Sequence, residues 1–220
     1  MAIYRESGFQ PLAKLTYWLI GAETLQSLAV QEPDLPNLLP VNNPDAHLLY
    51  QLDTSAMPPL LRQVYDRNVD DFKVSLLDRT VNRVKQWFNQ TEIIEKYVFE
   101  PQRKAAIGYF KLTIAQEKAR HHRLELTVHP AYTWLYPQLL NQIAQMLAAH
   151  PDQPLEIVSG DYQPEREEYL QQISAEPLSH SLLMSRSVWH KLRETRPLEA
   201  LQLAEMFSGL KPSGTAVPSG

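Results

Sequence analysis

The chain has 220 residues, 44% apolar and 21% charged, a globular mix that argues against a disordered, collagen-like or membrane-embedded polypeptide. Twenty-one Lys and Arg stand against 25 Asp and Glu, and this formal charge of −4 gives no overall basic field for a nucleic-acid backbone, so nucleic acid is not an expected partner. The absence of cysteine excludes disulfides, thiolate metal sites and cysteine nucleophiles, and seven glycines leave little material for a glycine-rich phosphate loop. The N-terminal residues read neither as a signal peptide nor as a membrane span, so the expected location is cytoplasmic, with no membrane partner.

In chain order, residues 17–20 read as a strand and residues 23–31 as a helix, and four prolines between 33 and 44 predict an irregular segment. Residues 46–52 read as a short buried strand, and Pro58-Pro59 as the entry to a helix. Between residues 60 and 88 apolar side chains recur every three or four positions, among them Leu61, Val64, Val69, Phe72, Leu76 and Val84, which predicts one bent helix or two adjacent ones. After Asn89 the period becomes two. Residues 93–99 and 105–115 predict an antiparallel hairpin closed by a polar break. Residues 123–128 predict a third strand, with Leu124, Leu126 and Val128 on a core face and Glu125, Thr127 and His129 on a polar one.

Pro130 ends that strand, and a helix follows from Leu135 with Pro137 in its first turn. Residues 155–158 read as a strand, 164–174 as an acidic-fronted helix and 179–189 as a strand. A last helix at 197–207 and an unstructured tail complete the reading. From residue 46 the predicted order is β-α-α-β-β-β-α-β-α-β, which defines an α/β (α+β) fold: a mixed, mostly antiparallel sheet flanked by helices. The expected divisions are an N-terminal extension (1–45), a main domain (46–195) and a C-terminal helix and tail (196–220).

The run IGYFKL at 107–112, the strand LELTVHP at 124–130, the Leu139-Leu140 pair and EPLSHSLLMSRS at 176–187 resemble, in order and spacing, the GCN5-related N-acetyltransferase (GNAT) superfamily. The resemblance covers residues 93–189 well and 46–92 loosely. It implies an acetyltransferase domain that moves an acetyl or other acyl group from acyl-coenzyme A to an amine, with acetyl-CoA as co-substrate and a small-molecule or protein amine as acceptor. It places the pantetheine arm against the strand at Leu126, Thr127 and Val128. The pyrophosphate falls at the following helix start, at Tyr132, Thr133, Trp134, Leu135 and Tyr136, where unpaired amides and the helix dipole favour an anion. Glu125 is the candidate general base and Tyr169 the candidate acid, with Tyr162 a weaker one.

Each of these residues has an ordinary alternative: an exposed or ion-paired Glu125, and core packing for both tyrosines. The chain departs from the family where a basic residue and glycines belong, reading Thr133-Trp134-Leu135-Tyr136 instead. A second reading follows, a non-catalytic member in which bulky side chains fill the cofactor groove. The fold would then serve protein association or regulation, as a homodimer or with another protein, through the Pro-rich segment and the aromatic run. His121, His122 and Glu125 do not make a metal site, because adjacent histidines on a strand face opposite ways, and no metal is expected. The basic cluster Lys118, Arg120, His121, His122 and Arg123 reads as a solvated hairpin tip.

Overall fold

The computed structural model describes residues 6–73, 91–117, 120–150 and 152–186. Much of the predicted 60–88 helix, the helix at 197–207 and the tail lie outside these residues, as do Lys118 and the last residues of the 179–189 strand. The described elements, in chain order, are β1 (Gln10–Ile20), α1 (Ala22–Ala29), β2 (Leu38–Pro40), α2 (Ala46–Ala56), α3 (Pro59–Tyr65), β3 (Thr91–Glu100), β4 (Ala105–Ala115), β5 (His122–Val128), α4 (Leu135–Met146), β6 (Leu155–Gly160), α5 (Pro164–Gln172) and β7 (Glu176–Ser185). Seven strands form one sheet in the order β2-β3-β4-β5-β6-β1-β7. Every pairing is antiparallel except β5 with β6, which α4 connects as a crossover. This is the mixed, mostly antiparallel architecture expected.

Helices lie on both faces. The larger core gathers Leu124, Leu126 and Val128 of β5, Phe110 and Leu112 of β4, Leu25 and Leu28 of α1, Leu135, Leu139 and Ile143 of α4 and Leu170 of α5. A smaller cluster joins Leu49 and Leu52 of α2 to Tyr97 and Ala106 on the opposite face. The alternation read along residues 123–128 therefore holds: its apolar residues are buried, Glu125 is exposed and Thr127 is half-buried.

Three expectations are corrected. Residues 46–52 are helical, because Ala46, Leu49 and Leu52 bury one face at a spacing of three, which suits a helix and not a strand. The proline-rich segment holds a short edge strand, Leu38–Pro40, paired only with β3, where a residue without an N–H is tolerated. The division of residues 1–45 as an extension separates β1 from the sheet that contains it. β1 pairs with β6 from Leu15↔Gly160 to Ile20↔Leu155, and with β7 from Gln10↔Ser185 to Leu19↔Glu176. The Trp18 indole N–H donates to Ser159 Oγ at 2.9 Å, and Ser159 donates to Glu167 Oε1 at 2.8 Å, tying β1, β6 and α5 together.

His122 is also no part of a solvated tip: it is fully buried. Its Nδ1 accepts from the Ala115 N–H at 3.1 Å, so Nε2 carries the proton, and among the described residues no group satisfies it. Burial, then the neighbouring His150 and His121, lower its pKa from 6.5 to about 4. Between those values the unfolded chain binds a proton that the folded chain refuses, so this contribution to stability is complete above pH 6.5 and is lost as the pH falls towards 4. His122→Leu should lower stability at neutral pH, because the Ala115 N–H loses its acceptor, and should flatten the decline between pH 6.5 and 4.5 in urea titrations. An unchanged decline would show that His122 does not drive it.

Gly108 sets the distance between α4 and the sheet. A Cβ there would lie 3.2 Å from Leu139 Cδ1 and 3.3 Å from Leu135 Cδ1, so both leucines rest on bare backbone. Gly108→Val overfills this contact and should cost about 1–3 kcal/mol in a urea melt.

Candidate functional site

The site begins where two strands part. The parallel ladder between β5 and β6 runs only from His122↔Leu155 to Leu124↔Ile157. Beyond it the backbone groups of the two strands need other partners, and Arg166 of α5 supplies them: Nη2 donates to the Leu126 carbonyl, and Nη1 donates to the Val158 carbonyl at 3.0 Å. The guanidinium carbon lies 5.4 Å from the centre of the Tyr136 ring, which α4 carries in from the side. Arg166 is 4% exposed, and burial lowers its pKa, with Tyr136 and Tyr162 opposing. Arginine keeps its charge in such surroundings.

A cavity of about 350 Å3 opens on the α2 side of this gap. Its walls include Glu125 and Thr127 of β5, Tyr109 of β4, Val158 and Gly160 of β6, Asp53 of α2, Tyr162 and Arg166. The Tyr162 ring lies over the bare backbone of Gly160, where a Cβ would overlap it. Burial raises the Tyr162 hydroxyl above the usual tyrosine range, and raises Tyr109 too, where Glu95 and Glu125 add to the effect. Arg67 pairs with Asp53 at 3.1 Å. Burial pushes the Asp53 carboxyl up and Arg67 opposes the shift.

The residues singled out in the sequence are not brought to one place. Glu125, Leu126 and Thr127 line the cavity, and Leu126 also belongs to the larger core with Val128. Tyr169 packs half-buried against that larger core and does not line the cavity, whereas Tyr162 does. Leu135 and Tyr136 are buried, Tyr136 at 5%, while Trp134 is 55% exposed. Tyr132 lies beside Trp134, with ring centres 6.5 Å apart, and the Arg103 guanidinium carbon lies 5.5 Å from the Tyr132 ring centre. Among the described residues no group of three or more His, Asp or Glu is placed to hold a metal ion, and no helix is long and apolar enough to cross a membrane.

The segment where the resemblance puts a pyrophosphate is tested by its own hydrogen bonds. The Ala131 N–H donates to His129 Nδ1, the Tyr132 N–H to the His129 carbonyl and the Tyr136 N–H to the Thr133 carbonyl, so these three amides are committed. Residues 129–136 contain no glycine, lysine or arginine. In the gap where the resemblance places the pantetheine arm, Arg166 spans the two strands, with the Tyr136 ring 5.4 Å from its guanidinium carbon. The residues present do not fit acyl-coenzyme A in this conformation.

No family model matches the chain, and no curated protein matches it significantly. Solved structures do. A tandem GNAT protein from the clavulanic acid biosynthesis pathway aligns at 13% identity over 83% of this chain and 56% of its own, with a TM-score of 0.50. A conserved protein of unknown function from Enterococcus faecalis, described as a probable N-acyltransferase, aligns at 13% identity over 83% of this chain and 41% of its own, also at 0.50. A Drosophila protein from a structural genomics consortium aligns at 13% identity over 84% and 55%, at 0.52. The chain spans about half the length of these structures. The likeness is one of fold: the chain is built on the GNAT acetyltransferase fold.

The two aromatic residues of the 132–136 segment separate in energy. Tyr136→Ala removes a buried ring packed on Arg166 and should cost about 3–5 kcal/mol in urea denaturation. Trp134→Ala removes an exposed ring and should stay within about 0.5 kcal/mol.

Proposed function

We propose that this chain is a non-catalytic member of the acetyltransferase fold, a binding or regulatory module whose donor cleft is closed. The observation that carries this reading is Arg166, whose guanidinium bridges the Leu126 and Val158 carbonyls across the parted strands. Pantetheine would have to displace a buried cation that already donates to both carbonyls. A cofactor that normally gains hydrogen bonds from such a gap finds them already made. The closed cleft leaves the adjacent cavity as the place where a small ligand binds, and cytoplasmic residence belongs to the same proposal.

The second reading is the N-acyltransferase, with acetyl-CoA as donor and an amine as acceptor. What favours it is the fold together with a cavity that joins Glu125, a potential base, to the Tyr162 hydroxyl beside the strand gap. It requires Arg166 to leave the gap when the donor enters. Under that reading Tyr162, which lines the cavity, takes precedence over Tyr169 as the acid.

Calorimetric titration with acetyl-CoA separates the two. The native chain should give no heat of binding, and an Arg166→Ala, Tyr136→Ala double variant, checked for folding by circular dichroism, is the control for an opened gap. Micromolar binding by the native chain would overturn the closed-cleft reading and establish a donor site.

A further inference from the structure

The sheet ends in two unlike edges. At one end β2 has three residues, Leu38–Pro40, and closes with a proline, so it offers little for another strand to pair with. At the other end β7 runs for ten residues, Glu176–Ser185, pairs on one side with β1, and among the described residues has no strand on its outer side. The residues from Glu176 to Ser181 are exposed, Leu178 by 49%, and β7 carries no lysine. The two devices that blunt it, Pro177 and a register shift against β1, fall at its start, and Ser179 to Leu183 pair with β1 in unbroken register.

The direction of the outer backbone groups is set by β1. The Lys14 carbonyl accepts from the Asp161 N–H at 2.9 Å, on the side of β6. A strand residue turns its N–H and C=O to the same side, so Lys14 exchanges no hydrogen bonds with Leu182 opposite it, and Leu182 points its own N–H and C=O outward. Two residues earlier in the same unbroken register, His180 does the same.

We propose that β7 pairs antiparallel with β7 of a second copy of this chain, about a two-fold axis at Ser181. A two-fold edge pairing must set outward groups against outward groups, and this axis sets Leu182 opposite the partner subunit's His180. It also sets Glu176 opposite the partner subunit's Arg186, twice in each dimer. Among the described residues neither Glu176 nor Arg186 makes an ion pair within the chain. An axis at His180 or at Leu182 keeps the backbone match but sets Glu176 opposite Met184, or Arg186 opposite Leu178, so the charges select Ser181. Each copy spends the one long edge of its described sheet, and the assembly therefore stops at two. A single strand pair buries less than the about 1,600 Å2 of a standard interface, so the dimer is a reversible one. The inference stands whether the donor cleft is open or closed.

Sedimentation equilibrium of the full chain tests it. Over about 5 to 500 µM, where an interface below standard size exchanges, the mass should rise from one chain to two and no further. Glu176→Arg and Arg186→Glu, both at exposed positions, should each weaken association about tenfold, and the chain carrying both exchanges should regain it. An equimolar mixture of the two single variants should associate more tightly than either alone, because only in the mixed pair are opposite charges matched at both ends. Leu182→Pro, which removes an outward N–H that β1 does not use, should abolish the dimer, with folding checked by circular dichroism. A single-chain mass throughout the range, growth beyond two chains, or a dimer indifferent to both charge reversals overturns the proposal.

Discussion

Arg166 holds together the part of the fold that is least able to hold itself. Parallel strands normally share a ladder along their length, but β5 and β6 keep only three residue pairs before they separate. Past that point each strand has backbone carbonyls turned towards empty space, and the guanidinium is the one planar donor that reaches both at once. The cost is a charge taken out of water, tolerable because arginine is weakly hydrated and because Tyr136 shields it. The shape of the cavity, the position of Tyr136 and the closure of the gap all follow from that arrangement.

The rest of the fold brings the necessary elements to this place. α4 can approach the sheet closely because Gly108 has no side chain to hold it off, and that approach delivers Tyr136 to the gap. α5 is fixed from the other side by the Trp18, Ser159 and Glu167 chain of hydrogen bonds, which sets the direction from which Arg166 enters. The bare backbone at Gly160 lets the Tyr162 ring fold over the end of β6 and form a wall of the cavity.

Most of the sheet was legible in the sequence because alternation is a local signal. The hairpin of β3 and β4, strand β5 with its two faces, and the β6-α5-β7 succession needed only period and punctuation. Residues 46–52 were misread because a short apolar run fits a buried strand and a helix alike, and only the spacing of Ala46, Leu49 and Leu52 separates them. The place of β1 was hidden because pairing across more than a hundred residues leaves no trace in a window of ten. Arg166 was missed for another reason. Flanked by Glu165, Glu167 and Glu168, it reads as one charge of a solvated helix face, yet it stands four residues before Leu170, which is fully buried, and so shares the face of α5 that packs inward.

The position of β1 bears on the order in which the chain can assemble. The β3–β4 hairpin closes over a four-residue turn, a local event that takes microseconds in small systems. The Trp18 to Ser159 bond, by contrast, joins residues 141 apart. A strand made early in synthesis must therefore wait for β6, and β7 has no neighbour in the sheet until β1 is in place. During that interval Trp18 and Ile20, later fully or almost fully buried, stand on an unpaired strand. Such delayed, long-range pairing slows folding and leaves an apolar edge open to other chains, so the waiting strand is where assembly in a crowded solution is most vulnerable to intermolecular pairing.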